Sequence, residues 1–309
     1  MLHRMNRTRS TLLASLALVV AGSLAACSGG AAGGASSSPA AEGTIEVVAS
    51  TDVYGSIAAA IGGDKVNVHS IISKPGQDPH SYEATAQDKL AVSKADLGIE
   101  NGGGYDDFFD KLAAGQLDAA KTVNVVELSG LEVGEGFNEH LWYNLPTMGA
   151  LADDLATRFG ALDGANAAAF TANATEFKST LAGLETRLAA LKTADGGASV
   201  AVTEPVPLYL LEAAGLSNAM PADFSQAIEE GTDVPAAVLK AATDLMGAGS
   251  VKFLAYNTQT EGPATILVKK AAEAAKVPVV DFSETLPAGQ QYTGWMDANV
   301  AAIESALNG

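Results

Sequence analysis

Residues 146–192 hold no strand-like run, while the segments on either side alternate β-branched runs with alanine-rich amphipathic stretches. That interruption constrains the fold most. Within it Phe170, Phe177, Leu181, Leu184, Leu188 and Leu191 recur at spacings of three, four and seven, the period that lays one apolar face along a helix. The helical pattern breaks once, at Leu162-Asp163-Gly164. A long second helix of this kind is a stiff spacer between the flanking regions, or it packs on one of them; periodicity allows both.

The flanks read as βαβ units, which build largely parallel sheets. In the first, strands are expected over 44–50, 66–72, 96–101 and 122–126, with helices near 54–61, 85–93 and 105–113. In the second, strands fall over 199–203, 251–257 and 278–282, with helices near 206–214, 235–246, 263–275 and 294–307. The fold class is therefore α/β, with two mainly parallel lobes over 44–145 and 194–309 and linking helices over 146–193. A body of this length suits two domains of about 100–200 residues each.

The first 26 residues carry Arg4, Arg7 and Arg9, then a short apolar run over 11–20, then Leu24-Ala25-Ala26 before Cys27. This order reads as a secretory signal peptide. No later segment approaches the roughly 20 apolar residues that span a bilayer. Cys27 is the one cysteine, so it has no partner in the chain for a disulfide. Leu-Ala-Ala-Cys followed by Ser28-Gly29-Gly30 resembles the bacterial lipobox, and the resemblance implies a diacylglyceryl thioether on Cys27. Residues 27–43 are almost all Gly, Ala and Ser and form a flexible tether. The expectation is a chain secreted and held by lipid at the outer face of the bacterial cytoplasmic membrane.

The formal charge is −18, and removing a signal with three arginines and no acids takes it to −21. Nucleic acids and anionic ligands need a basic surface, so both are disfavoured as partners. A cation is compatible with the charge but not identified by it.

Chemistry concentrates at three points. His80 follows Asp78-Pro79, a pair that forces a turn and exposes the ring from a loop. His140 lies in Asn-Glu-His-Leu-Trp-Tyr-Asn, and Glu204 ends the apolar strand Ala-Val-Thr-Glu-Pro. Each falls at the mouth of an expected strand or in the loop after it, where open α/β sheets hold ligands. Imidazole with carboxylate suits Zn²⁺, Mn²⁺ and Fe²⁺. Of the remaining histidines, His69 is mid-strand and reads as a surface group.

Taken together, these motifs resemble the metal-specific solute-binding lipoproteins of bacterial ABC importers, the zinc/manganese group whose lobes are joined by a rigid helix. Gly76–Glu83, followed by Ala95-Asp96-Leu97 and Asn101-Gly102-Gly103, resembles the family's first-histidine region. His140-Leu-Trp-Tyr-Asn144 resembles the second, and Thr203-Glu204 with Tyr209 and Gly215-Leu216 the third. Phe282-Ser283-Glu284-Thr285-Leu286, with Tyr292 and Trp295-Met296, matches the fourth, acidic position. The resemblance spans 44–309. It implies one divalent ion held between the lobes by His80, His140, Glu204 and Glu284, with Asp281 the alternative fourth ligand. Two carboxylates and two neutral imidazoles would make the filled site formally neutral.

The resemblance implies Zn²⁺ or Mn²⁺ as the ion, with Fe²⁺ also accommodated. Two histidines with two acids resemble the manganese- or iron-associated pattern, whereas the Irving–Williams order favours Zn²⁺ at any given site. The resemblance further implies a monomer that hands the ion to an ABC permease and its ATPase subunit. A zinc hydrolase is the weaker reading, because the chain has no His-Glu-x-x-His or Gly-x-Ser-x-Gly segment. A siderophore or other small-ligand binder would need arginines at its pocket, and Arg158 and Arg187, both in the linking helices, are the only ones after the signal.

Overall fold

Strand β1 (Ile45–Thr51) is buried along nearly its whole length, as a continuous apolar run in a parallel sheet should be. It lies between β2 (Val66–Ile72) and β3 (Leu97–Glu100), with β4 (Thr122–Asn124) beyond β3, and every pairing is parallel. Helices α1 (Asp52–Gly62), α2 (Ala86–Val92) and α3 (Asp107–Ala113) make the crossovers. The computed structural model describes residues 43–308 apart from 75, 76, 78, 80, 81 and 135.

The strand expected over 122–126 is corrected here. It stops at Asn124, whose Oδ1 accepts the Glu127 amide at 3.0 Å and opens α4 (Val125–Ser129). An N-cap asparagine satisfies a helix donor, and the β-branched pair Val125 and Val126 is buried in that helix instead.

Helix α5 (Leu145–Leu162) starts at Asn144, whose Oδ1 accepts the Thr147 amide at 3.1 Å, with Pro146 in the first turn. Proline is at home there because its missing N–H has no intrahelical partner to lose. Helix α6 (Ala167–Asp195) buries Phe170, Phe177, Leu181, Leu184, Leu188 and Leu191, the face read from the sequence, together with Ala174.

The second sheet runs β6-β5-β7-β8, again wholly parallel, from β5 (Ser199–Val202), β6 (Ser217–Asn218), β7 (Leu254–Asn257) and β8 (Val279–Phe282). Around it lie α7 (Leu208–Ala213), α8 (Ala222–Glu229), α9 (Ala236–Gly247), α10 (Pro263–Ala275) and α11 (Tyr292–Asn308). The expected strand over 251–257 begins only at Leu254.

Two α/β lobes with parallel sheets are therefore the fold. Helix α6 packs on α1 and α5 and also on α7 and α11. One continuous core includes its apolar face, Val47 and Ile57 of the first lobe, and Val202 and Ile303 of the second. It is a spine shared by both lobes. Arg187 fastens it to α11, donating to Glu304 from Nε at 2.9 Å and Nη2 at 2.7 Å, and pairing with Asp297.

Candidate metal centre

In both sheets the chain order reverses beside the first strand, between β1 and β3 and between β5 and β7. Ligands of open α/β sheets sit at such switch points. At the second, Glu204 lies just past β5 and Asn257 is the last residue of β7. Both are buried, Glu204 at 3% exposure and Asn257 at 2%.

The Asn257 amide joins two carboxylates. Its Nδ2 donates to Glu204 Oε2 at 2.5 Å and to Glu284 Oε1 at 2.8 Å. Thr260 Oγ1 also donates to Glu204 Oε2. The loop after β7 then reaches the other way, where Gln259 Oε1 accepts the Glu284 and Thr285 amides at 2.5 and 2.9 Å. From the first lobe, the Tyr105 hydroxyl donates to Glu284 Oε2 at 3.3 Å. Burial, reinforced by the Glu284 charge, pushes the Tyr105 hydroxyl well above its usual range, so it stays a donor.

His140 is 1% exposed. Its Nδ1 is 2.7 Å from Asn138 Oδ1, an amide oxygen that also accepts the His140 backbone N–H at 3.1 Å. An oxygen that only accepts makes Nδ1 the donor in this contact and leaves Nε2 as the ring nitrogen on the far side. That nitrogen is 3.6 Å from Glu229 Oε1. Trp142 and Tyr105 wedge the ring, with centroids 5.1 and 6.0 Å away. Asn138 in turn donates to Pro205 O at 3.0 Å and accepts the Tyr209 hydroxyl at 2.6 Å, tying the histidine loop to the segment after Glu204.

A cavity of about 750 Å³ opens here, lined by Glu204, Glu229, Glu284, Gln77 and Thr260 among others, and no Lys or Arg lines it among the described residues. Glu284 is 8% exposed on this cavity. Asp281, by contrast, is exposed on β8 and lies 4.0 Å from Lys269. His80 and Cys27 fall outside the described residues; Gln77, three positions before His80, lines the cavity. His140, Glu204 and Glu284 thus share one neighbourhood, and Asp281 is apart from it. Among the described residues no three His, Cys, Asp or Glu side chains are drawn close enough to enclose an ion by themselves.

Sequence reading missed Glu229, Asn257, Gln259 and Thr260. Helix α8 had a signal in Phe224, Ala227 and Ile228 at helical spacing after Pro221. Asn257 had a fainter one, as a polar residue closing an apolar strand.

Solved structures share this fold. FpvC of Pseudomonas aeruginosa in complex with Mn²⁺ superposes with a TM-score of 0.71 at 23% identity, covering 86% of this chain and 99% of that one. The periplasmic zinc-binding protein TroA of Treponema pallidum gives 0.69 at 19% identity, covering 86% and 99%. In sequence, the chain is similar to the manganese ABC transporter substrate-binding lipoprotein scaA of Streptococcus gordonii, 32% identical over 193 residues, 59% of this chain and 60% of that protein. It is also 30% identical over 147 residues to the manganese-binding lipoprotein MntA of Bacillus subtilis, 46% of this chain and 48% of that protein. The chain spans about 60% of the length of the curated relatives it matches over the longest stretch. Residues 47–306 match the family described as zinc-uptake complex component A, periplasmic, and the chain belongs to that family.

Proposed function

We propose that this protein is the extracytoplasmic solute-binding component of an ABC importer. It captures one divalent transition-metal ion, Zn²⁺ or Mn²⁺ with Fe²⁺ also accommodated, through His80, His140, Glu204 and Glu284. It delivers the ion to a membrane permease driven by an ATPase subunit. Lipid on Cys27 holds it, as a monomer, at the outer face of the cytoplasmic membrane.

The observation that carries this reading is the pair of buried carboxylates, Glu204 and Glu284, drawn onto one amide beside an acid-lined cavity. Two buried negative charges are costly unless a cation neutralises them. The Asn138 contact at His140 Nδ1 is the kind of outer hydrogen bond that orients a metal-binding imidazole. A cavity edged by acids and lacking Lys or Arg among the described residues suits a bare cation and repels an anionic chelate. Four protein ligands would also leave no open position for a reacting water, unlike a catalytic zinc site.

Elemental analysis of the mature protein purified from metal-replete cells tests the reading. About one Zn, Mn or Fe per chain is expected, with a metal-dependent rise in melting temperature; an ion at 100 times its Kd stabilises by about 2.7 kcal/mol. No bound metal and no stabilisation by any of the three would overturn it.

A further inference from the structure

Glu284 lies in the segment between β8 and α11, and first-lobe side chains hold that segment at several points. Asp52 and Ser56, four residues apart on one face of α1, accept the Leu286 amide at 3.2 Å and the Tyr292 amide at 3.0 Å. Nearer His140, two tyrosines reach past each other in opposite directions. The Tyr292 hydroxyl donates to Trp142 O at 2.7 Å, and the Tyr143 hydroxyl donates to Ser283 O at 2.8 Å. Burial pushes both hydroxyls above their usual range, so both stay donors.

Ser283 O and the Glu284 N–H belong to one planar peptide group. Its oxygen is held from the first lobe by Tyr143, and its N–H from the second lobe by Gln259 Oε1 at 2.5 Å. Gln259 is fixed in turn, because the same oxygen accepts the Thr285 amide at 2.9 Å and its Nε2 donates to Thr285 Oγ1 at 3.1 Å. Rotating the peptide would break a bond to each lobe. It would also carry the Glu284 side chain off the Asn257 amide, which it meets at 2.8 Å.

Resting on the metal-binding reading above, we propose that Tyr143 and Gln259 act as a pair of positioning residues for the metal site: by gripping the Ser283–Glu284 peptide from opposite lobes, they fix where Glu284 presents its carboxylate. Tyr143 follows His140 by three residues, so its hydroxyl also sets the Glu284 backbone against the histidine segment. The role is separable from folding. In Tyr143→Phe the ring keeps its edge contacts with Phe282 and Trp295, at centroid distances of 6.0 and 5.4 Å. The bonds made by Asp52, Ser56 and Tyr292 also stay in place.

The test compares the mature wild-type protein with Tyr143→Phe, Gln259→Ala, the double variant and a control, Asn173→Ala. The control removes a bond of the same kind, Asn173 Nδ2 to Ile61 O at 2.9 Å, at the opposite end of α1 from Asp52. Each protein is titrated with Zn²⁺ and Mn²⁺ against a competing chelator and is melted without metal. Tyr143→Phe should weaken binding of both ions by about 10–100-fold, the range for losing a partner that orients a ligand, and Gln259→Ala should do the same. Because both residues hold one peptide, the double variant should lose less than the product of the two single losses. Asn173→Ala should bind like wild type, whatever it loses in metal-free melting temperature. Wild-type affinity in Tyr143→Phe would overturn the proposal. So would an affinity loss in Asn173→Ala equal to that in Tyr143→Phe, which marks general loosening. Single losses that multiply fully in the double variant would overturn the pairing. If Tyr143→Phe does not fold, Gln259→Ala decides by the same comparison with Asn173→Ala. A wild type that binds neither ion, nor Fe²⁺, would instead overturn the metal-binding reading itself.

Discussion

At the ends of β1 and β3 the first lobe ties its buried polar side chains to its own loops, whereas at the equivalent place the second lobe holds acids that line a cavity. In the first, the buried Tyr54 hydroxyl donates to Asn101 Oδ1, and Asn101 Nδ2 donates to the Gly102 and Glu139 carbonyls at 2.8 and 3.0 Å. The acid there, Asp106, is used by the backbone: Oδ2 accepts Asn101 N at 2.7 Å and Oδ1 accepts Gly102 N at 2.8 Å. Gly102, Gly103 and Gly104 all take positive φ, which lets the loop fold tightly over that carboxylate. In the second lobe Glu204 and Glu284 are held by side chains of the loop after β7 and line a cavity. Equal topology therefore yields a closed mouth in one lobe and a ligand-facing one in the other. What differs is whether the acids serve backbone N–H groups or an opening.

That contrast is sharpest for substitutions at the two mouths. Glu204→Ala or Glu284→Ala should weaken metal binding by more than the roughly 10–100-fold typical of an outer partner, while the metal-free protein still melts cooperatively. Isothermal titration with Zn²⁺ and Mn²⁺ measures this. In the first lobe, Asn101→Ala should instead lower metal-free stability by about 1–3 kcal/mol, the cost of orphaned buried polar groups, in a denaturant titration. If Asn101→Ala abolished binding without loss of stability, the two mouths would not differ as described.

A smaller effect comes from the acids beneath the first mouth. Glu100 is pushed up to about 8, by burial first and then by the charges of Asp110 and Asp106. Burial likewise pushes Asp106 up to about 6. The folded protein thus holds protons that the unfolded chain releases in the ordinary carboxylate range. Stability from this source is complete below that range and is lost as pH rises towards 8. Glu100→Gln keeps an acceptor for Asn124 Nδ2, now 3.0 Å from Glu100 Oε1, and removes the charge. Its melting temperature should exceed wild type by a few degrees at pH 8 and match it near pH 5. An increase at pH 5 alone would reverse the assignment.

The smallest effect should be at Asp281. Its side chain is 62% exposed and 4.0 Å from Lys269, and such surface pairs contribute about 0–1 kcal/mol. Asp281→Ala should leave metal affinity unchanged and stability within about 0.5 kcal/mol. A loss of affinity matching that of Glu284→Ala would bring Asp281 into the site.

Where a signal is periodic and summed over many residues, it was legible in the sequence. The α6 face is the clearest case, since every apolar position read from the spacing is buried. Local competition was less legible. Val125 and Val126 look like a strand, yet the cap supplied by Asn124 turns them into a helix. Strand β6 is two exposed residues, too short for any period to register. Within the candidate site, the strand-end position of Glu204 pointed to it, and His140 was pointed to by the resemblance of its segment to the family's second-histidine motif. Asn257 and Thr260 escaped notice because their importance lies in contacts across 53 and 56 residues of chain, which no local pattern encodes.

The central claim is that the second lobe's acids and the two loop histidines converge on one ion. Anomalous diffraction from crystals of the mature protein grown with Zn²⁺ and, separately, with Mn²⁺ tests it directly. The account predicts a single strong peak at each metal's edge, bonded to His80, to Nε2 of His140, to Glu204 and to Glu284, with Zn–N and Zn–O distances of about 2.0–2.2 Å. A peak coordinated by Asp281 or by Glu229 in place of Glu284, or a peak that leaves out His80 or His140, would contradict it.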